Sequence, residues 1–162
     1  MPELAEVKIM SEYINYVSND EEYISVEKSE KNKNPNLEIP YKSFRISSTS
    51  RGKELMLVVT DTETEEEKKF LMGMGMSGNW IFIEKGSIPK HSHIVFETKE
   101  GGKLCMYDFR RFSRWKESYE WSDNRGPCML TEWESFVDNL KSNSDKKIFN
   151  NPIYELMLNQ KY

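Results

Sequence analysis

The chain begins MPELAEV, which places a proline and a glutamate directly behind the initiator methionine. Two interpretations fit these residues. Pro2 and Glu3 could simply begin a helix, because proline is favoured in a first turn and acidic residues suit the positive end of the helix dipole. Alternatively, Met1 is removed and the free amine of Pro2 becomes a nucleophile. These seven residues alone favour the helix start, so the decision depends on the rest of the chain.

A second stretch, YDFRRFSRW at positions 107–115, mixes basic and aromatic residues: Arg110, Arg111 and Arg114 with Phe109, Phe112 and Trp115. Arginines grip phosphates and an aromatic ring can insert between bases, so this composition suits a nucleic-acid surface. The alternative is a β-hairpin decorated with cation–π contacts, which are common in proteins. A third stretch, SRGKEL at 50–55, places Lys53 in a tight turn before a strand, where a long cation can reach outward.

Other kinds of catalytic site find little support in the sequence. His91 and His93 alternate on a predicted strand and should share a face, but no third ligand lies nearby, so no metal site is expected. No serine or cysteine occupies a nucleophile-elbow context. The string GMGMSG (73–78) lacks the lysine and the helix of a phosphate-binding loop and is interpreted as a turn. Cys105 and Cys128 form no CxxC pair, which favours an intracellular protein without a disulfide framework.

The composition is that of a globular chain: of 162 residues, 37% are hydrophobic and 31% are charged. The sequence contains no apolar run long enough for a membrane span and no signal-peptide pattern, so no membrane association is expected. A net charge of −4 by itself opposes nucleic-acid binding, but residues 61–67 (DTETEEE) hold five of the acidic side chains. Without these five charges the remaining chain carries one net positive charge. We therefore interpret 61–67 as a solvated hairpin loop that does not describe the working face.

Periodicity predicts one N-terminal helix followed by a β-rich region. Apolar residues at intervals of three and four predict an amphipathic helix over residues 3–17: Leu4, Val7, Met10, Ile14 and Val17. Six β-rich runs then follow, separated by turn signals, at 44–47, 55–59, 69–74, 79–84, 93–97 and 103–109. Repeated short strands at this spacing predict a β-sandwich or a flattened barrel.

The character of the sequence changes after Gly126-Pro127. Apolar residues from Trp133 to Leu140 follow a helical period, and Thr131 with Glu134 fits a capping box. A second helix is predicted to begin with Pro152 at its first position and to be still in progress at the last residue. The sequence thus predicts a domain at 1–125 and the beginning of a helical domain at 126–162.

Six motifs in this order, PELAEV, RGKEL, GMSG, HSHIVF, DFRRFSRW and GPC, resemble those of the Fpg/Nei family of DNA glycosylases. The resemblance runs from residue 2 to residue 162 and is strongest to the eukaryotic endonuclease VIII-like 1 branch. Each motif alone is weak, but six in the family order are specific. The resemblance therefore reverses the preference at Pro2 and favours the nucleophile.

The resemblance implies a bifunctional glycosylase and abasic-site lyase. In this family the N-terminal proline amine attacks the sugar C1′, expels an oxidised base and forms an iminium that leads to strand cleavage by β- and δ-elimination. Pro2 matches that nucleophile, Glu3 the general acid/base, and Glu6 a second acidic position that orients the pair. Lys53 matches a lysine that contacts phosphate and lesion from a hairpin.

In members of the family, three side chains fill the gap that the target base leaves in the duplex when it flips out. These side chains map to Met76, Arg110 and Phe112. Arg111 and His93, from the same motifs, are expected among the DNA-binding residues. The sequence departs from the family at Ala5, where proline is usual, and at Ser113, which replaces a glycine and could alter the hairpin tip.

Together these features predict an α+β fold: a two-layer β-sandwich with an N-terminal amphipathic helix, followed by the first helices of a helix–two-turn–helix domain. The expected partner is double-stranded DNA with an oxidised base or abasic site, bound by a monomer, intracellular and nuclear if eukaryotic. No cofactor is expected within this chain, because the zinc or zincless finger of the family lies C-terminal to the matching region. Weak DNA binding is expected, because the later part of the family's helix–two-turn–helix motif, which clamps phosphates, also lies beyond the matching region. The alternatives are a non-catalytic damaged-DNA-binding module and an inactive truncated fragment of such an enzyme.

Overall fold

The computed structural model describes residues 2–159 and Lys161. The chain forms two compact units that divide between Trp121 and Ser122. The first unit contains the N-terminal helix and all the strands, and the second contains the remaining helices. The assignment of the second unit to a partial helix–two-turn–helix domain stays a prediction.

Helix α1 spans Leu4–Ser18, one residue away from the predicted bounds at each end. It begins after Glu3, whose backbone N–H donates to Oε2 of Glu6 at 2.9 Å, so Pro2 lies before the helix and not in its first turn. The buried face of the helix includes two serines, and Ser11 meets Ser48 of the sheet through their hydroxyls at 3.0 Å. Small polar residues with such partners allow the helix to pack closely on the sheet without leaving buried groups unsatisfied.

Eight strands form one antiparallel sheet: β1 (Tyr23–Lys28), β2 (Phe44–Arg51), β3 (Glu54–Asp61), β4 (Glu67–Gly73), β5 (Asn79–Ile83), β6 (Ser92–Thr98), β7 (Lys103–Tyr107) and β8 (Arg114–Glu117). Their order across the sheet is β5-β7-β6-β1-β2-β3-β4-β8. The predicted α+β class is confirmed. The sequence predicted six of these strands and missed β1 and β8.

The sheet consists of two four-stranded halves that share one core. Strands β1 and β2 join the halves through a single residue pair, Tyr23 opposite Phe44. Phe44 and Phe96 lie two strands apart in the sheet order, yet their ring centroids are 6.2 Å apart in an edge-to-face contact. The sheet therefore folds over at this joint, and one continuous cluster of buried side chains fills the space between its inner faces.

The acidic residues at 61–67 lie at the turn between β3 and β4. Residues 63–67 are exposed, while Asp61 is buried and its carboxylate accepts hydrogen bonds from the backbone N–H and the hydroxyl of Thr64, at 3.1 and 2.6 Å. Lys53 lies in the turn at the opposite end of β3, directly before Glu54. The negative loop is therefore one strand length away from the predicted catalytic lysine.

The second unit contains α2 (Trp133–Ser142), a short 3₁₀ helix (Lys147–Asn150) and α3 (Ile153–Leu158). Two predicted details are wrong. Helix α2 begins after Glu132 and no side chain caps it, so Thr131 and Glu134 do not form a capping box. Helix α3 ends at Leu158, and Pro152 precedes its first turn. Within the described residues, no helix is long and apolar enough to cross a lipid bilayer.

Candidate active site

Pro2 and Glu3 lie at the beginning of α1, beside the hairpin that joins β2 and β3. Gly52 has a φ of +58°, and this left-handed conformation allows the tight turn that presents Lys53 towards the helix. The ammonium of Lys53 forms an ion pair with Oε2 of Glu3. Lys53 is mostly buried, whereas about half of the Glu3 side chain is exposed. The fold thus brings together two predicted catalytic residues that are fifty positions apart.

Glu6 lies one helical turn beyond Glu3 and holds the backbone N–H of Glu3. It also lines an open cleft of about 440 Å³ together with Pro2 and Met10 of the same segment. Residues from two loops and the adjacent strand ends complete the cleft: Met76, Ser77, Gly78, Asn79, Tyr107 and Phe109. Pro2 therefore borders a space that a small group can enter from solvent.

The two loops beside the cleft both cross between the halves of the sheet. The methionine loop, residues 74–78, connects β4 to β5, and the arginine loop, residues 108–113, connects β7 to β8. At one side Gly73 is paired with Arg114, and at the other side Asn79 is paired with Tyr107. Strand pairing at both ends therefore places the two loops side by side.

Close contacts join the loops along their length. Gly75 has a φ of +59°, and a Cβ placed on it would lie 2.6 Å from the main-chain carbon of Phe112. The Ser113 hydroxyl lies 3.1 Å from the carbonyl oxygen of Met74. Ser113 is fully buried and ties the arginine loop to its neighbour.

The predicted DNA-facing side chains project from these loops. Met76 is 42% exposed and Phe112 is 49% exposed. The guanidinium of Arg110 lies 5.1 Å from the centroid of the Phe112 ring, within cation–π range. The structure therefore brings Met76, Arg110 and Phe112 to one pair of adjacent loops, although their role in DNA binding stays a prediction.

Asp108 was not predicted as a site residue, yet it organises the arginine loop. Its carboxylate accepts hydrogen bonds from the hydroxyl of Ser77, the backbone N–H of Arg110 and both the backbone N–H and hydroxyl of Ser113. Burial would raise the pKa of Asp108, but these hydrogen bonds outweigh it and lower the pKa to about 2. Asp108 is therefore charged at neutral pH. The only signal in the sequence was an aspartate directly before a basic and aromatic run.

The expectation that His93 contacts DNA does not fit its position. Its side chain is 2% exposed and its Nε2 lies 2.8 Å from the main-chain oxygen of Asp108, so it supports the arginine loop from inside. His91 and His93 do not share a strand face, because His91 precedes β6 and has a φ of +68°. Trp115 is likewise buried, and its Nε1 donates to the Pro35 carbonyl at 2.8 Å.

Arg111 remains at the surface. Its φ of +57° forms the sharp bend of the arginine loop, and its side chain is exposed. Its backbone N–H donates to the carbonyl of Asp108 at 3.2 Å, which closes the turn. The side chain of Arg111 is thus available to a ligand, as the sequence suggested.

Two further features concern metals and other clefts. Among the described residues, no group of three or more histidine, cysteine, aspartate or glutamate side chains is placed to hold a metal ion. A larger cleft of about 710 Å³ lies at the C-terminal end of α1, but acidic side chains line it: Glu12, Asp20, Glu21 and Glu84. This charge opposes a polyanionic ligand, so the cleft beside Pro2 is the better candidate.

Comparison with known proteins identifies relatives of this chain. A family model described as the formamidopyrimidine-DNA glycosylase N-terminal domain matches residues 1–115. Endonuclease 8-like 1 of Homo sapiens and of Mus musculus are each 34% identical to the chain over 172 aligned residues. Each alignment covers the whole chain and 44% of the relative, so the chain spans less than half the length of these proteins.

Solved structures share the fold. A complex between the LlFpg protein, a THF-DNA and an inhibitor has a TM-score of 0.57 at 20% identity, covering 72% of this chain and 44% of that one. Wild-type Lactococcus lactis Fpg in complex with an oxidized pyrimidine containing DNA has a TM-score of 0.54 at 19% identity, with the same coverage. At these identities the likeness concerns the fold alone. The family model, which matches more than half of the chain, shows that this chain belongs to the Fpg/Nei family of DNA glycosylases.

Proposed function

We propose that this chain carries the catalytic domain of a bifunctional DNA glycosylase and abasic-site lyase that excises oxidised bases from double-stranded DNA. The observation that supports it most is the arrangement around Pro2. The proline borders an open cleft, Glu3 beside it is paired with Lys53, and Glu6 lines the same cleft. These are the residue types that amine-based excision requires.

The chemistry begins with the amine of Pro2 after removal of Met1, a step that lies outside the described residues. An α-amino group has a reference pKa of about 8, against about 10.4 for lysine, so much more of it is a neutral nucleophile at pH 7. The amine attacks C1′, and the bond to the base breaks with its electron pair leaving on the base, which takes up a proton. As the sugar opens, its ring oxygen is protonated and the amine loses its proton, which gives a cationic iminium.

The same iminium supports strand cleavage. Its positive charge acidifies the neighbouring C2′, which loses a proton as the 3′ phosphate departs; the 5′ phosphate follows in a second elimination, and water then releases the amine. Glu3 transfers the protons to the ring oxygen and from the amine, because its carboxylate is adjacent to Pro2 and half exposed. Lys53 orients that carboxylate and provides a positive charge for the phosphates.

Base removal also requires that the target leave the stack, since the sugar carbon is not accessible in an intact duplex. In the proposed function Met76, Arg110 and Phe112 fill the resulting gap. Arg110 pairs with the orphaned opposite base, while Phe112 enters between neighbouring base pairs. Their exposure on two adjacent loops beside the Pro2 cleft supports this assignment.

A non-catalytic damaged-DNA-binding module is the second candidate, because the sequence places Met1 before Pro2. If Met1 is retained, the nitrogen of Pro2 is part of an amide and cannot attack. Intact-mass measurement of the purified protein distinguishes the two states before any activity is assayed.

Borohydride trapping tests the proposed nucleophile. Protein without Met1 is incubated at low salt with abasic-site DNA and reduced, and we expect a covalent protein–DNA adduct. Pro2→Gly should retain some trapping because it keeps an N-terminal amine, whereas one residue added before Pro2 should abolish it. Undiminished trapping by the extended protein would show that another amine forms the adduct.

A further inference from the structure

The carboxylate of Asp108 connects the two loops that carry the proposed wedge residues. Oδ1 accepts from the Ser77 hydroxyl of the methionine loop and, at 3.1 Å, from the backbone N–H of Arg110 in its own loop. Oδ2 accepts from the backbone N–H and hydroxyl of Ser113, at 2.8 and 2.7 Å. The Asp108 carboxylate therefore binds Ser77 of the methionine loop and both Arg110 and Ser113 of the arginine loop.

This carboxylate is buried and its charge is held by neutral donors. Asp108 is 0% exposed, and its backbone is fixed as well, since its N–H donates to the His91 carbonyl at 3.1 Å and its carbonyl oxygen faces Nε2 of His93. A buried carboxylate is stable only while its hydrogen bonds are made. Moving the donors away from Asp108 would therefore cost a large part of the folding free energy. The donors are held in place for this reason, and so are the residues between them.

The packing leaves the loops little room to move relative to each other. Gly75 lies against the backbone of Phe112, and Gly78 lies against the Ser113 hydroxyl so closely that a side chain at either glycine would collide. Met76 lies between these two glycines, and Phe112 directly precedes Ser113. The exposed Met76 and Phe112 are thus attached to the best-anchored parts of their loops.

We propose that Asp108 is a positioning residue that makes Met76, Arg110 and Phe112 one preorganised unit, so that the three enter the duplex together when a base leaves the stack. This inference rests on the proposed function. Asp108 itself is too deeply buried to contact DNA, so it acts through the loops. Preorganisation matters here because a wedge that is ordered before binding does not have to be ordered during base flipping.

The test replaces Asp108 by asparagine. The amide is nearly the same size as the carboxylate. Its NH₂ group, however, takes the place of one oxygen and therefore faces groups that donated hydrogen bonds to that oxygen. Asp61→Asn is the matched control: Asp61 is also buried and accepts hydrogen bonds from Thr64, but it lies at the far end of β3. Thermal unfolding of each variant shows whether the fold is kept.

Two measurements separate wedge insertion from chemistry. The first uses a duplex that contains a tetrahydrofuran abasic analogue opposite 2-aminopurine, whose stopped-flow fluorescence reports disturbance of the opposite base. The second is borohydride trapping on a single-stranded abasic oligonucleotide, which has no gap to fill. We expect Asp108→Asn to slow the fluorescence change by about ten- to a hundredfold and to leave single-strand trapping nearly unchanged, while Asp61→Asn affects neither.

Ser113→Ala provides a second variant in case Asp108→Asn does not fold, since the Ser113 hydroxyl donates to Asp108 and is not part of the lining of the Pro2 cleft. It removes one donor from the carboxylate, so we expect a smaller slowing of the fluorescence change, again with normal trapping. Equal losses in both measurements, or no slowing in either folded variant, would overturn the positioning role. The fluorescence change does not depend on the Pro2 amine. If the wild-type protein forms no borohydride-trapped adduct but still gives the fluorescence change, the result contradicts the proposed chemistry and not the positioning role of Asp108.

Discussion

The ammonium of Lys53 is paired with the carboxylate of Glu3, and this ion pair closes the hairpin between β2 and β3 onto the start of α1. It joins the general acid/base that we propose to a cation on a different element. A change to Lys53 should therefore affect the chemistry at Pro2 through the Glu3 carboxylate.

Lys53→Gln keeps most of the side-chain length and removes the charge. We expect the rate of base excision to fall by about a hundredfold or more, because the Glu3 carboxylate loses its orienting partner and the phosphates lose a cation. Single-turnover excision from an oxidised duplex measures the loss. Lys68→Gln is the control, since Lys68 is paired with Glu117 at 3.1 Å elsewhere in the sheet. Equal rates for the two variants would contradict the role of Lys53.

Glu3→Gln should separate the two reaction steps. Base excision needs protonation of the sugar and should slow by about 10²–10⁴-fold, whereas cleavage at a pre-formed abasic site needs less help and should slow less. The two substrates are compared under single-turnover conditions, with Glu12→Gln, which lies on the exposed face of α1, as the control. A loss of the same size on both substrates would argue against Glu3 as the acid that opens the sugar.

Phe112→Ala should weaken recognition of lesions more than general affinity for DNA. Stacking of one aromatic side chain on a base contributes about 1–3 kcal/mol, so the ratio of lesion to undamaged affinity should fall by about tenfold or more. Salt titrations of binding to both duplexes measure this ratio, with Tyr16→Ala, an exposed aromatic on α1, as the control. An unchanged ratio for Phe112→Ala would show that the ring does not act as a wedge.

Asp108 should make the free energy of unfolding depend on pH in the acidic range. Its pKa is lowered to about 2 from the 3.8 of an ordinary aspartate, so the charged form favours folding at and above pH 4. This stabilisation is lost as the pH falls from 4 towards 2. Over this interval the free energy of unfolding should decrease more in the wild type than in Asp108→Asn, and we expect the two decreases to differ by about 2 kcal/mol. Urea unfolding at pH 4 and pH 2 provides the comparison, and parallel curves would contradict it.

The sequence predicted the elements that bury a regular pattern and missed those that do not. Helix α1 was placed within one residue because its apolar residues follow the helical period. Strand β1 was missed because only Tyr23 of its six residues is fully buried. Strand β8 was missed because its single buried residue, Trp115, lies among exposed charged residues at the edge of the sheet.

The sequence named residues of the candidate site, whose catalytic roles stay predictions, but not how they assemble. Motifs identified Pro2, Glu3 and Lys53, whereas their proximity depends on a helix and a hairpin that meet only in the folded chain. Asp108 was overlooked because its importance arises from two loops that strand pairing brings together. His93 was expected to bind DNA because it lies in the HSHIVF motif, and a motif alone does not show that the side chain is buried.

Strand β3 separates Lys53 from the acidic loop at 61–67. Eight residues of extended chain span about 25 Å, roughly three times the Debye length of about 8 Å in physiological salt. The two ends therefore create nearly independent potentials, and the domain behaves as an electric dipole whose direction matters more than the net charge of −4 that the whole chain carries. Close to a polyanion this dipole experiences a torque that turns the Pro2 end towards the phosphates and the acidic loop away. With DNA as the proposed partner, the acidic loop would disfavour encounters in which the Pro2 end faces away from the phosphates.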